Sequence, residues 1–443
     1  MTLSYVISIK VKRPEQKTYE HWMKTPVPDY LKHVLSACHS NDDGALADYI
    51  PELANADPNK IALALATVDG TIYSSGDDEV EFTIQSMSKP FAYALAIKEH
   101  GLTEVLKKVG VEPSGEAFNQ ISLGQDQLPK NPMINSGAIT THALLPHKKT
   151  VPRAEKLRRF LSELAGRELS FDENVYESEL KTAFRNMSIG YMLRTVGVLD
   201  EDPELIVHGY IRQCAIKVTV KDLATIASVL AHGGIQAKTG KRILERAVVR
   251  QVLSVMMTCG MYDAAGDWLT TVGIPAKSGV AGGIIGVLPG QVGIAVFSPK
   301  LDIHGNSVRG VEMFERLSND MGLHLMEGTP SAQTILQSRY TVGTDTVVYE
   351  LRGVLQFTES EMLLRILQDE PRGKNTILLD LTNLTLIHDV GARMLFEGVK
   401  RLTEDGHQVI VLDSEGVLTQ EQIKDHKQVV LNQALDQYLK NYR

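Results

Sequence analysis

Proline 90, in the run Gln85-Ser86-Met87-Ser88-Lys89-Pro90-Phe91, fixes where a helix must begin. Its ring is tolerated only in a helix's first turn, and the apolar residues 91–100, closed by Gly101, read as that helix. Residues 72–75 and 80–84 are rich in β-branched and aromatic side chains and predict strands. Ser86 and Lys89 therefore fall where strand becomes helix, at a helix N-terminus whose free N–H groups and dipole favour developing negative charge. Their spacing of three places both on one face. A lysine desolvated there, near another cation, loses enough pKa to take the serine proton, which is the activation a weak hydroxyl needs. Serine-x-x-lysine by itself is weak evidence, because a chain of this length holds on the order of one or two copies by chance. A second copy does run from Ser178 to Lys181. The plainer reading makes Ser86 an N-cap and leaves Lys89 in solvent.

Composition narrows the classes available. The 443 residues, 43% hydrophobic and 23% charged, are enough for two or three domains with sizeable cores. A formal net charge of -8 and the absence of a long basic run argue against nucleic acid as a partner. Cys38, Cys214 and Cys259 have neither disulfide-framework nor zinc spacing, which favours a reducing compartment. Apolar residues 3–9 precede Lys10, Lys12 and Arg13, the reverse of a secretory signal. No apolar stretch approaches the ~20 residues that span a membrane. The expected location is the cytoplasm, without membrane insertion.

Residues 1–29, with Arg13-Pro14 and a Pro26-Val27-Pro28 turn, read as a lead-in segment. Residues 30–325 interleave helical patterns, such as 188–196 and 220–232, with strand patterns near both ends, and predict one large α/β body. Its last sheet signals are 268–276, 283–287 and 291–297, the final two joined by Pro289-Gly290. Residues 326–339 lose apolar periodicity and read as a linker. A small α/β domain is expected over 340–443, with strands 346–351 and 353–357, helix 359–369, strand 376–381, helix 390–402 and strand 408–412. With 16 acidic and 11 basic residues, this last quarter holds most of the chain's negative charge.

Three further constellations carry chemistry. In Lys277-Ser278-Gly279-Val280-Ala281-Gly282-Gly283, a lysine and a serine precede glycines that let backbone approach a ligand closely. The glycines lead into a strand rather than a helix, so this is no phosphate loop, and a simple glycine bulge is the alternative. In Asn131-Pro132-Met133-Ile134-Asn135, Asn135 can read a polar ligand, although asparagines in turns commonly bond their own backbone. Glu179 and Asn186 lie seven residues apart, about two helical turns, and so could share one helix face. Taken bare, Glu179 is a solvated helix charge.

Together, residues 85–91, 131–139, 175–186, 259–263 and 277–283 resemble the serine-dependent glutaminase family, whose catalytic domain is similar to the serine β-lactamases. The five motifs recur in order over residues 30–325, with no departure at the key positions. The resemblance implies a β-lactamase-like α/β fold, a sheet flanked by helices with a helical subdomain. It also implies hydrolysis of L-glutamine to L-glutamate and ammonia, without metal or organic cofactor. By the same resemblance Ser86 attacks the carboxamide carbon and Lys89 takes its proton. Tyr262 relays protons near Ser86, and Lys277 supplies positive field or serves as the base itself. Substrate contacts fall on Tyr49, Ser86, Asn135, Glu179, Asn186, Tyr210, Tyr262 and Val280, with Glu179 suited to the α-ammonium group. Backbone N–H groups of Ser86 and Val280 would form the oxyanion hole. Homo-oligomers, dimers or tetramers, are also implied. The three tyrosines as ordinary core residues remain the alternative.

Residues 340–443 resemble the STAS family of small α/β domains, with 377–393 matching its strand-loop-helix, and imply a module for regulation, assembly or a protein partner. Asp389 stands where such domains commonly carry a phosphorylatable serine, and it reads first as a helix N-cap. Two rival functions remain open at this point. One is a β-lactamase or peptidoglycan peptidase, and the other a glutamine-binding sensor signalling through the C-terminal domain.

Overall fold

Along the strand Ala62–Thr67, alanines 62, 64 and 66 face one side and Leu63 and Leu65 the other, and this alternation sets the layers of the first unit. The alanine face lets the helix Val220–Ala231 lie close, and that helix is buried along its whole length. Closeness is also built into the neighbouring strand, where a Cβ on Gly293 would sit 2.3 Å from the Ser228 nitrogen. The leucine face packs on Leu31, Val34 and Leu35 of the helix Val27–Cys38 and on Met313, Phe314 and Leu317 of the helix Val308–Met321. The sheet between these layers has five antiparallel strands in the order Ile72–Gly76, Ala62–Thr67, Val292–Phe297, Gly283–Leu288 and Ala276–Gly279. A separate group of helices, Asn135–Ala143, Phe184–Thr195 and Pro203–Cys214, packs around Ile139, Ile189, Leu193, Val207 and Ile211.

The structure is a computed structural model describing residues 27–114, 123–147, 151–327, 335–355, 357–371 and 373–440. It divides into two compact units, 1–328 and 329–443. The second unit has a five-stranded sheet in the order Leu336–Val342, Thr346–Leu355, Thr376–Ile387, Gln408–Leu412 and Val430–Leu431. All pairs are parallel except the first. Val347, Tyr349 and Leu351 point to the helices Phe357–Gln368 and Asp389–Glu404, while Val348 points to Leu435 and Tyr438 of Leu435–Lys440. Both units are mixed α/β. No helix among the described residues is long and apolar enough to cross a membrane.

Several expectations need correction. Residues 268–271 are helical, within Ala265–Thr271, and only Ala276–Gly279 is strand. The run Trp268-Leu269-Thr270-Thr271-Val272 has high β-propensity, yet Trp268 is buried and donates to the Ile274 carbonyl, which anchors a short helix instead. The strand expected over 80–84 shrinks to Phe82–Thr83, because Ile84 already turns into the 3₁₀ helix Gln85–Ser88. Of the turn expected at Pro26-Val27-Pro28, Pro26 lies outside the described residues, and Val27 and Pro28 instead form the first turn of the helix Val27–Cys38. The strand Leu336–Val342 occupies the last part of the expected linker, pairing with Thr346–Leu355 across a turn that holds Gly343 at φ +65°. Strands 346–351 and 353–357 are one strand, with register shifts on either side of Gly353 where two elements were read. Asp389 is the first helical residue and accepts from Gln422 Nε2 at 3.0 Å, while His388 holds the N-cap position. The apolar residues 3–9 lie outside the described residues.

Candidate active site

Gln85 starts the 3₁₀ helix Gln85–Ser88 in the left-handed region, at φ +48°, and Lys89 continues it into the helix Lys89–His100. The chain thus turns sharply from strand into helix at Ser86, with Pro90 in the first turn. Lys89 through Ile97 are all buried, so this helix has no solvated face for Lys89 to reach. Ser86 is 7% exposed, and Lys89 and Lys277 are fully buried. The plainer reading, an N-cap serine beside a solvated lysine, does not survive this geometry: Ile84 and Ser88 hold the N-cap positions, and Ser86 lies within the 3₁₀ helix.

A cavity of about 280 Å³ opens beside Ser86, near the lower end of the ~300–1,000 Å³ typical of ligand sites and suited to a small molecule. Of the residues singled out by sequence, Tyr49, Ser86, Asn135, Glu179, Asn186, Tyr210 and Val280 line it. Lys89, Tyr262 and Lys277 do not line it: Lys89 and Tyr262 touch residues that do, and Lys277 lies one contact further out, against Tyr262. Lys89 Nζ donates to Asn135 Oδ1 at 2.8 Å and to the Met133 carbonyl at 3.1 Å. Tyr262, held at φ +59°, hydrogen-bonds to Ser86, and its hydroxyl lies 3.4 Å from the Ser278 carbonyl. Lys277, on the edge strand Ala276–Gly279, stacks its ammonium 3.8 Å from the centre of the Tyr262 ring.

Burial sets the protonation. It drives Lys89 down to about 8. Lys277 falls well below its ordinary value through burial and the nearby Lys89 charge. Two lysines so placed do not both carry a proton comfortably, and the neutral one is a base. Burial also raises the Tyr262 phenol, an effect opposed by its bonds to Ser86 and Ser278.

Asn135 opens the helix Asn135–Ala143 and is the polar hub, accepting from Lys89 and from the Tyr210 hydroxyl at 3.3 Å while donating to Asn186 Oδ1 at 2.9 Å. The backbone-bonding turn anticipated for an asparagine here is made by Asn131 instead, whose Oδ1 accepts from the Met133 and Ile134 amides. Glu179 and Asn186 do not share a helix. They lie on Glu173–Lys181 and Phe184–Thr195, with the break at Thr182 and Ala183, and packing brings both to the cavity. Glu179 is half-buried, and its burial raises its pKa against bonds from Tyr49 and Gln85. Tyr49 Oη at 3.0 Å and Gln85 Nε2 at 3.2 Å both donate to Oε1. Among the described residues no cation pairs with this carboxylate, so it presents unneutralised negative charge to the cavity. Ser178 of the second serine-x-x-lysine instead donates to Glu52.

Sequence reasoning missed several lining residues, among them Thr182, Arg185, Ile211 and Cys214. Gln85 was quoted only as a neighbour of Ser86. Its positive φ has no signature in a single glutamine, and Cys214 has none either.

The site thus brings together, in and around one small cavity, a serine at a helix mouth, two buried lysines of lowered pKa and a carboxylate with no cationic partner among the described residues. A profile of the glutaminase family matches residues 44–326. A glutaminase from Corynebacterium glutamicum is 51% identical over 395 residues, covering 89% of this chain and 95% of that protein. One from Corynebacterium efficiens is 47% identical over 401 residues, covering 90% and 95%. A crystal structure of the protein Mglu in its glutamate form shares 45% identity at TM-score 0.83, covering 89% of this chain and all of that one. A probable glutaminase from Bacillus subtilis matches at TM-score 0.61 and 31% identity, over 68% of this chain and 96% of its own. The chain belongs to the glutaminase family.

Proposed function

We propose that the family's reaction proceeds here through an acyl-enzyme on Ser86. The chain is an enzyme that hydrolyses L-glutamine to L-glutamate and ammonia. The β-lactamase or peptidase reading and the sensor reading are not favoured, given kinship with glutaminases along nearly nine-tenths of the chain. The observation that carries the mechanism is Ser86 at the mouth of a helix, touching Tyr262 and lining the cavity, with two buried lysines of depressed pKa close by.

Neutral Lys89, or Lys277, takes the Ser86 proton, directly or through Tyr262, as the oxygen attacks the side-chain carboxamide carbon. The Ser86 and Val280 N–H groups hold the oxyanion, the proton passes to the leaving nitrogen, and ammonia departs. Water then attacks the ester, its proton goes to the same base and from it to the departing Ser86 oxygen, and glutamate is released with the free serine restored. Glu179 binds the α-ammonium group, and Asn135, Asn186, Tyr49 and Tyr210 set the remaining polar contacts. The Mglu structure in its glutamate form supports such a ligand by likeness. No step needs a metal or organic cofactor.

The β-lactamase-like description of residues 30–325, the lead-in before it and the STAS-like reading of 340–443 belong to the same proposal, as do the cytoplasmic location and homo-oligomeric state. Parallel strands covered on both faces support the STAS-like reading as a regulatory or assembly module. Acid-quenching turnover and mapping the adduct by peptide mass spectrometry tests the chemistry. A glutamyl ester on the Ser86 peptide, absent in Ser86→Ala, is expected. An adduct elsewhere, or none under conditions that trap other acyl-enzymes, overturns it.

A further inference from the structure

Behind Ser86 runs a buried chain of side chains to which neither the sequence motifs nor the proposed chemistry assigns a task. His142, in the helix Asn135–Ala143, faces Gln213 Oε1 through Nδ1 at 2.7 Å. A carbonyl oxygen only accepts, so Nδ1 carries the ring proton. Burial, with Arg153 nearby, pushes this imidazole down to about 3, so it is neutral at any working pH. On its other side Gly209 packs so close that a Cβ there would lie 2.3 Å from Nε2, which pins the ring.

With Oε1 committed to His142, the Gln213 amide must point its nitrogen at Ser88, and Nε2 donates to Ser88 Oγ at 3.1 Å. The single Ser88 hydroxyl proton then goes to the Gln85 carbonyl, 2.8 Å away. His142, Gln213 and Ser88 are 1%, 0% and 0% exposed, so none of these bonds competes with water. The chain ends on Gln85, a non-glycine residue in the left-handed region, a conformation that persists only where its surroundings impose it. Gln85 Nε2 in turn donates to Thr83 Oγ1 and Glu179 Oε1, both at 3.2 Å. Gln85 and Tyr49 converge on the same oxygen, leaving Glu179 Oε2 for the cavity.

We propose that Gln213, acting through Ser88, is a positioning residue that holds Gln85 in its left-handed turn and so orients Glu179 for the substrate's ammonium group. The proposal rests on the reading of Glu179 as the ammonium partner. The direction of the chain matters as much as its presence. A glutamate at 213 still accepts from His142 but can only accept from Ser88, which turns the hydroxyl proton away from Gln85.

The test uses the full-length protein with Gln213→Met, Gln213→Glu, Ser88→Ala and the double variant Ser88→Ala/Gln213→Met. Readouts are kcat and KM for L-glutamine, inhibition by L-glutamate and by glutaramate (glutamine without its amino group), and melting temperature. Expected is a rise of about tenfold in glutamine KM and glutamate inhibition constant, the scale of one hydrogen bond to a charged group, with a smaller fall in kcat. Gln213→Glu behaves like Gln213→Met, the double variant is no worse than the worse single one, and glutaramate inhibits all forms equally. Wild-type KM in Ser88→Ala, additive effects in the double variant, or a parallel loss of glutaramate affinity overturns the proposal. If Gln213→Met fails to fold, Ser88→Ala carries the test alone. If the wild type releases no ammonia, the proposed function fails, and glutamate binding by calorimetry still reads the positioning.

Discussion

Replacing Lys89 with methionine should reduce the pH dependence of stability. Lys89 is fully buried with its pKa brought down to about 8 from an ordinary 10.5. Below pH 8 both folded and unfolded chains bind the proton, and the fold bears the full cost of a buried ammonium, about 3 kcal/mol at 1.4 kcal/mol per unit. Between pH 8 and 10.5 the unfolded chain still holds the proton while the native chain has released it, so stability rises with pH. By pH 10 about 2.5 kcal/mol of the cost has vanished. Lys89→Met lacks this component, and it also relieves Lys277 of the Lys89 charge. The lost bonds to Asn135 and Met133 shift the variant's stability equally at every pH and drop out of the comparison. Urea unfolding at pH 7 and 10 followed by tryptophan fluorescence is the assay, because Trp268 is buried in the core of the first unit. Wild type should gain about 2 to 3 kcal/mol relative to Lys89→Met over that interval. Parallel behaviour of the two proteins would refute a depressed Lys89.

Other outcomes follow from the same geometry. The acidic limb of kcat/KM should rise with pH to a plateau through an apparent value near 8, since the base acts only when neutral; a limb near 6.5 would point to histidine. Glu179→Gln should raise glutamine KM by about 10- to 100-fold while leaving glutaramate inhibition unchanged. Gly137→Ala would place a Cβ 1.9 Å from the Asn131 carbonyl, and should cost about 2 kcal/mol or more of stability while disturbing the turn that presents the Met133 carbonyl to Lys89. Cys214 lines the cavity, but burial pushes its thiol up to about 12, so iodoacetamide near neutral pH should leave activity intact.

The turn at Ser86 was legible because Pro90 and Gly101 act locally, through sterics that a short window of sequence contains. The strands 283–288 and 292–297 were legible for the same reason, from apolar runs and a Pro-Gly turn. Glu179 and Asn186 were placed on one helix because nothing between them, neither glycine nor proline, marks the break at Thr182 and Ala183. Their convergence on Asn135 and Tyr210 depends on the packing of four helices scattered over some 80 residues, and resemblance to a family supplied what periodicity did not. Trp268 was misread because propensity and burial disagree there and burial wins. Gln213 and His142 stayed invisible for a different reason: a glutamine and a histidine on mostly apolar helix faces look like ordinary core polar residues until their partners are known.

Ser86 is the proposed nucleophile of a glutamine-hydrolysing site. Ammonia release from L-glutamine by wild type and Ser86→Ala, with glutamate binding measured on both, tests it most directly. Expected are release by the wild type, a fall of about a thousandfold or more in Ser86→Ala, and glutamate affinity within a few-fold in both. Undiminished release from Ser86→Ala, or tight glutamate binding by a wild type that releases no ammonia, would contradict it.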